Sequence, residues 1–215
     1  MSLSAPEPLT SAHDVSDFSC GKYTLDHWLK TRALSNQQKG FTAVLVVHEA
    51  GQVVGYYGLA PTAVIPSILP RSIRTGQPPD PVPCLLLGQL ATDTEWAGRG
   101  IGTGLVKHAL QRCVQAATLI GGRALMVNAV DGGAAEFWRR RGFTASRDDP
   151  LVLFRSIADI AVSLSPKGRP VERSSGTEGL RFWPPMDSIG ELDDGRRRHD
   201  VASHRRTDNA FIKTC

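Results

Sequence analysis

The sequence predicts a mixed α/β or α+β layer fold, and three observations carry that reading. Runs rich in β-branched and aliphatic residues at 42–47, 52–59 and 84–92 read as strands. Apolar residues at helical spacing mark segments beginning near Leu25, Leu105 and Gly133. Glycines punctuate these runs at Gly40, Gly51, Gly121-Gly122 and Gly142. The resulting order is helix, hairpin, strand, helix, strand, helix, strand, which is that of a sheet packed against helices.

Leu25, Trp28, Leu29, Ala33 and Leu34 give the first helix its apolar face, and Gly40 ends it. The strands 42–47 and 52–59 flank Glu49-Ala50-Gly51, which reads as a hairpin turn. Residues 61–83 are proline-rich and carry Arg71 and Arg74, which predicts a long surface excursion with little regular strand. The run 84–92 is apolar throughout, as in a central strand covered on both faces. A glycine-rich turn then leads into a helix whose stripe is Leu105, Val106, Ala109, Leu110, Cys113 and Val114, with Lys107, Gln111 and Arg112 mostly away from it. Gly121-Gly122 closes that helix, 124–130 is the next strand, and a short helix follows over 133–141 until Gly142. The last strand is 151–154. Beyond Leu164 the composition changes to Pro, Gly, Ser and charge clusters such as Asp193-Asp194 and Arg196-Arg197-Arg198. Residues 165–215 are therefore expected to be a disordered extension to a domain at 9–164. The triple arginine reads as a solvated tail or as an RNA contact.

Composition excludes several classes. The 41% hydrophobic and 21% charged content is ordinary for a soluble protein. There is no apolar run of about 18 residues and no basic-then-apolar leader, so neither a membrane span nor a secretory signal is expected, and a cytoplasmic location is. Cys20, Cys84, Cys113 and Cys215 are scattered, which argues against a disulfide framework. The histidines at 13, 27, 48, 108, 199 and 204 show no ligand spacing, so no metal site is predicted. No G-x-S-x-G elbow is present. The net charge of +4 admits an anionic partner, a phosphorylated cofactor or nucleic acid, without requiring one.

The chemistry concentrates at Gly98-Arg99-Gly100-Ile101-Gly102-Thr103-Gly104. A glycine-rich turn between strand and helix presents unpaired amides to an anion, and the helix dipole adds about half a positive charge there. Arg99 can add a charge-assisted contact. No Gly-Lys-Ser/Thr follows, which excludes a Walker A loop, and the glycine offsets do not fit the dinucleotide fingerprint. A diphosphate site of a third kind remains, with a glycine turn lacking any ligand as its alternative.

These residues resemble the GCN5-related N-acetyltransferase (GNAT) family, in which an R/Q-x-x-G-x-G/A loop cradles the diphosphate of coenzyme A. Arg99-Gly100-Ile101-Gly102 matches the second half of that loop, while Ala97 stands where the family has Gln or Arg. The resemblance covers about 9–164 and implies the GNAT fold, a mixed, mostly antiparallel central sheet with helices on both faces. It also implies acetyl-CoA as cofactor, with Leu90, Ala91 and Thr92 pairing to the pantetheine arm and Arg99, Gly100, Ile101, Gly102, Thr103, Gly104 and Phe137 binding the rest.

Four further segments are similar to acetyltransferase toxins of type II toxin–antitoxin pairs. They are Phe18-x-Cys20-Gly21-x-x-x-Leu25-Asp26-x-Trp28-Leu29, Gly55-Tyr56-Tyr57-Gly58-Leu59-Ala60, Leu87-Gly88-Gln89-Leu90-Ala91, and Ala135-Glu136-Phe137-Trp138-Arg139-Arg140-Arg141-Gly142-Phe143. That resemblance implies acetylation of the α-amine of aminoacyl-tRNA, a block on translation, a ribbon–helix–helix antitoxin as partner, contact with DNA only through that antitoxin, and a homodimer. Arg71, Arg74 and Arg139–Arg141 are candidate RNA contacts, with plain solvation as their alternative. The departure is Trp138, which stands at the catalytic position where these toxins carry a tyrosine acid. An indole N–H donates a hydrogen bond but is no acid near neutral pH, and a lost general acid costs ~10²–10⁴ in rate. Tyr23, Tyr56 and Tyr57 are the phenols left to substitute. Slow catalysis is expected; the alternative is a weakly active or inactive acyl-CoA-binding partner of the antitoxin, acting in DNA repression. Acetylation of a small-molecule or protein amine rests on the fold alone.

Overall fold

Residues 2–165 are described by the computed structural model; the expectations placed on 166–215, including the triple arginine, lie outside them. Helix α1 (Tyr23–Trp28) continues through a π-helical turn (Leu29–Ala33) into α2 (Leu34–Gln38), with Leu25, Leu29 and Ala33 as its buried stripe. Gly40, at φ +73°, follows the end of α2. Strands β2 (Ala43–Glu49) and β3 (Gln52–Val64) form the predicted hairpin around Ala50-Gly51, both at positive φ, as a type I′ turn requires. A two-residue strand ahead of them, β1 (Glu7–Pro8), pairs antiparallel with β2.

Strand β4 (Val82–Thr92) is the central strand, and helix α3 (Ile101–Ile120) follows it. Next come β5 (Ala124–Asn128), α4 (Gly132–Arg139), β6 (Thr144–Ala145), β7 (Val152–Ser156) and α5 (Ile157–Leu164). The sheet order is β1-β2-β3-β4-β5-β7-β6, and only the β4–β5 pair is parallel. This is the mixed, mostly antiparallel sheet the resemblance implied.

Alternation of side chains along the strands splits the core. Leu45, Tyr57, Leu87, Leu90, Leu125, Val127 and Leu153 meet α3, α4 and α5 on one face. On the other face, Val44, Val46, Tyr56 and Ala91 meet α1 and the π turn. The excursion after β3 closes the rest of that face, where Leu69 and Ile73 pack with Met126 and Phe154. It is thus less of a surface loop than its prolines predict. Pro61 is tolerated inside β3 because β2 stops at Ala43, opposite Leu59, so no partner on that side needs its missing N–H. Helix α5 was not anticipated; Ser156 caps it by accepting from the Asp159 amide at 3.0 Å. No helix among the described residues is long and apolar enough to cross a membrane.

Candidate functional site

The site originates in a defect of the sheet. Leu59 lies opposite Leu87 but Gly58 lies opposite Gln89, so Gly88 is an extra residue in β4, a β-bulge. Pairing of β4 with β5 covers Leu85–Leu87 only. Past the bulge, Gln89, Leu90, Ala91 and Thr92 keep their partners on β3 and have none on β5. Their other backbone edge faces an opening between two parallel strands, where an extended ligand can take the place of a strand.

The glycine turn closes one end of this seam. Buried Asp93 fixes the exit from β4: its carboxylate accepts from the amides of Ser19 and Glu95, each at 2.8 Å. Gly98 and Gly100 both have positive φ, +74° and +82°, which other residues adopt only under strain. The Gly104 amide donates to the Gly100 carbonyl at 2.9 Å, so the amides of Ile101, Gly102 and Thr103, one turn earlier, have no helical acceptor. A Cβ on Gly102 would stand 3.3 Å from Thr92 Oγ1, so its absence lets the helix start close to the strand end. The structure therefore brings Leu90–Thr92 and the 99–104 turn together. Three converging amides at a helix N-terminus fit a diphosphate, and the unpaired edge of β4 fits an amide-bearing arm such as pantetheine. Arg99 stacks on Trp96, 4.5 Å from the ring centroid, with its charge on the surface beside the turn.

Phe137 and Trp138 sit on α4. Trp138 is fully buried, edge-on to both Phe137 and Phe143 with centroids 5.1 Å apart in each pair. Its Nε1–H has no acceptor, a costly state for a buried donor. Half-buried Phe137 carries the Arg141 guanidinium 3.4 Å above its ring. Asp131 caps α4 by accepting from Ala134 N at 2.8 Å and receives Lys22 Nζ at 3.1 Å; the first of these bonds does most to hold its carboxyl below the ordinary value. Asp131 is thus the N-cap of α4.

The three tyrosines weighed as substitute acids lie in different settings. Tyr56 is buried and donates to the Leu25 carbonyl at 2.9 Å. Tyr57 points to the opposite face and shares a hydrogen bond with His108 Nδ1 at 2.7 Å; burial holds its phenol far above the ordinary value. Tyr23 is exposed and stacks on His27. The candidate RNA-binding arginines do not form one surface either. Arg71 and Arg74 belong to the excursion on the α1 face, whereas Arg139 and Arg140 pair with Glu136 on α4, at 3.8 and 3.2 Å.

Two features escaped the sequence reading. Gln89 is 3% exposed and its Oε1 has no partner; it faces the space that Gly58 leaves open beside Thr42 and Trp28. Residues with helical or strand apolar neighbours hide such a group, although a glutamine inside Leu87-Gly88-Gln89-Leu90 was a visible anomaly. Second, Glu7, His13 and His48 bring metal-ligand atoms within 4.8 Å of one another, from positions with no ligand spacing. Both imidazole Nδ1 atoms accept backbone amides, His13 from Thr10 and His48 from Gly51. Each ring therefore keeps its proton on Nε2 and donates to Glu7, at 2.9 and 3.1 Å, the reverse of the tautomer that Nε2 ligation needs.

The family model of the acetyltransferase (GNAT) domain matches residues 40–145. A tRNA-acetylating toxin of Mycobacterium tuberculosis is 42% identical over 156 residues, 73% of this chain and 93% of the toxin. The structure of AtaT complexed with acetyl-methionyl-tRNAfMet superposes with a TM-score of 0.70 at 26% identity, over 76% of this chain and all of that one. AtaTR bound with acetyl-CoA gives 0.66 at 27% identity, over 76% and 98% of the two chains. A bulged, splayed sheet with an amide-lined turn at its mouth and this degree of likeness lead to one assignment: the chain belongs to the GNAT acetyltransferases, among the tRNA-acetylating toxins.

Proposed function

We propose that the chain transfers the acetyl group of acetyl-CoA to the free α-amine of an amino acid carried on tRNA, blocking translation. The observation that carries this reading is the seam left where β4 leaves β5, with the Ile101–Thr103 amides at its mouth. The tRNA-acetylating relative and the AtaT complexes with acetyl-CoA and acetyl-methionyl-tRNAfMet support it.

Acetyl-CoA, when bound, supplies the activated acyl group. The amides of Ile101, Gly102 and Thr103 hold its diphosphate, and the free edge of Leu90, Ala91 and Thr92 pairs with its arm. Phe137 gives the arm an apolar flank. Trp138 offers Nε1–H as a hydrogen-bond donor and has no proton to release near neutral pH. Gln89 Oε1 accepts from the amine N–H and orients it. An α-amine titrates near ~7.7–8.0, so roughly a tenth to a sixth of it is already neutral at pH 7, and positioning does most of the work. A ribbon–helix–helix antitoxin and a second copy of the chain are the proposed protein partners; the solved complex of AtaT with the C-terminus of the antitoxin AtaR supports the first.

Incubating the purified chain with acetyl-CoA and charged tRNA, then digesting for mass spectrometry, is the test. Acetylated aminoacyl-adenosine is expected; charged tRNA recovered unmodified overturns the reading. Trp138 favours a second reading, an acyl-CoA-binding antitoxin partner of little activity, and the same assay separates the two by turnover.

A further inference from the structure

We propose that Lys107, Arg141 and Arg155 form a second anion site that takes the 3′-phosphate of coenzyme A and so distinguishes coenzyme A from its dephospho form. The inference rests on the acetyl-CoA reading above. A cavity of about 410 Å³ lies along α3 and α5, lined by Thr103, Val106, Lys107, Leu110, Arg141 and Arg155 among others. Three cations meet there, and among the described residues none of them enters a salt bridge. The two arginines make only backbone bonds: Arg141 Nη1 to the Phe137 carbonyl at 3.0 Å, and Arg155 Nη2 to the Asp159 carbonyl at 3.3 Å. Both are half-buried, and loss of hydration disfavours their charged forms, with Asp159 opposing this at Arg155 only. Like charges drawn out of water around one cavity are unfavourable until an anion joins them.

The cations are also held in place. Arg141 is flat on the Phe137 ring, and Arg155 occupies room that Gly142 leaves, since a Cβ there would stand 3.3 Å from Arg155 Nε. Thr103 belongs both to this cavity and to the three free amides of the turn. In coenzyme A only a ribose separates the diphosphate from the 3′-phosphate. A ligand anchored by the amides therefore carries its second phosphate to the neighbouring cavity. Guanidinium forks suit such a group, binding it through two parallel bonds.

Calorimetric titration of coenzyme A and dephospho-coenzyme A into the intact chain and its variants tests this. The unmodified chain is expected to bind coenzyme A ~10-fold tighter or more, the scale of one charge-assisted contact. Arg155→Gln and Arg141→Gln should weaken coenzyme A while leaving dephospho-coenzyme A unchanged, so that the preference collapses toward one. Arg155 is the sharper probe, because Lys107 also borders a second cavity with Arg99. Lys107→Gln, on an exposed position, keeps the test valid should a half-buried arginine prove necessary for folding. Equal binding of the two ligands by the unmodified chain overturns this inference alone. So does an intact preference in variants that have lost affinity for tRNA, which would give the cavity to RNA phosphates. No binding of either ligand overturns the acetyl-CoA reading as well.

Discussion

At its β1 edge the sheet is fastened down: β1 is zipped to β2, and the Glu7 carboxylate is clamped between His13 and His48. At the β4–β5 seam three residue pairs form and the strands then part, leaving a row of backbone groups and the turn amides unpaired. Both regions use the same hydrogen-bonding groups with the same preference for being satisfied. Where β1 meets β2 they are satisfied within the chain, and the neighbouring imidazole tautomers are fixed by backbone amides. The seam leaves them for something that is not part of the chain. Unsatisfied polar atoms follow the same division: Gln89 Oε1 and Trp138 Nε1 belong to the elements that border the seam, β4 and α4.

Substitutions at the two regions should therefore separate chemistry from stability. The largest effect is expected for Trp138→Tyr, which places a phenolic acid where the indole stands and should raise acetyl transfer ~10²-fold or more; an unchanged turnover number would refute the lost-acid account. Gln89→Leu removes a buried acceptor without opening space. It should lower kcat/KM for charged tRNA by about tenfold and leave acetyl-CoA affinity intact, and a matched loss of both in titration and kinetics would make Gln89 merely structural. At the fastened edge, Glu7→Gln should speed hydrogen exchange around β1 by about tenfold, a local opening, with no change in acetyl-CoA binding. Smallest is a pH effect at His108. Burial, and then Arg112, lower its pKa, so the unfolded chain binds the extra proton first. Stability should thus decline as pH falls below about 6.5, and His108→Gln should flatten that part of a thermal-melt series.

Much of the architecture was legible because it depends on patterns the sequence displays. The α3 stripe from Leu105 to Cys113 is buried as its spacing predicts, and the hairpin turns at Ala50-Gly51. The excursion was misread because Leu69 and Ile73 bury themselves between prolines, where no period exists to reveal them. Helix α5 is only eight residues long, and its one local signal is Ser156 three residues before Asp159, a capping pair. For the site, the glycine turn announced itself through composition. The bulge at Gly88 did not, since a single extra residue leaves the apolar run 84–92 unbroken and shows only in the register against β3. Fates of the tyrosines were equally hidden: adjacent Tyr56 and Tyr57 point to opposite faces, and each hydroxyl finds a partner far away in sequence, Leu25 for one and His108 for the other.

Amide hydrogen exchange with and without acetyl-CoA tests the account where it is most exposed. Saturating ligand should slow exchange at the Ile101–Thr103 amides and along 89–92, while β1 and β2 stay as they were. Exchange unaltered at those amides, whether the ligand binds elsewhere or not at all, would contradict the claim that the open seam is the acetyl-CoA site.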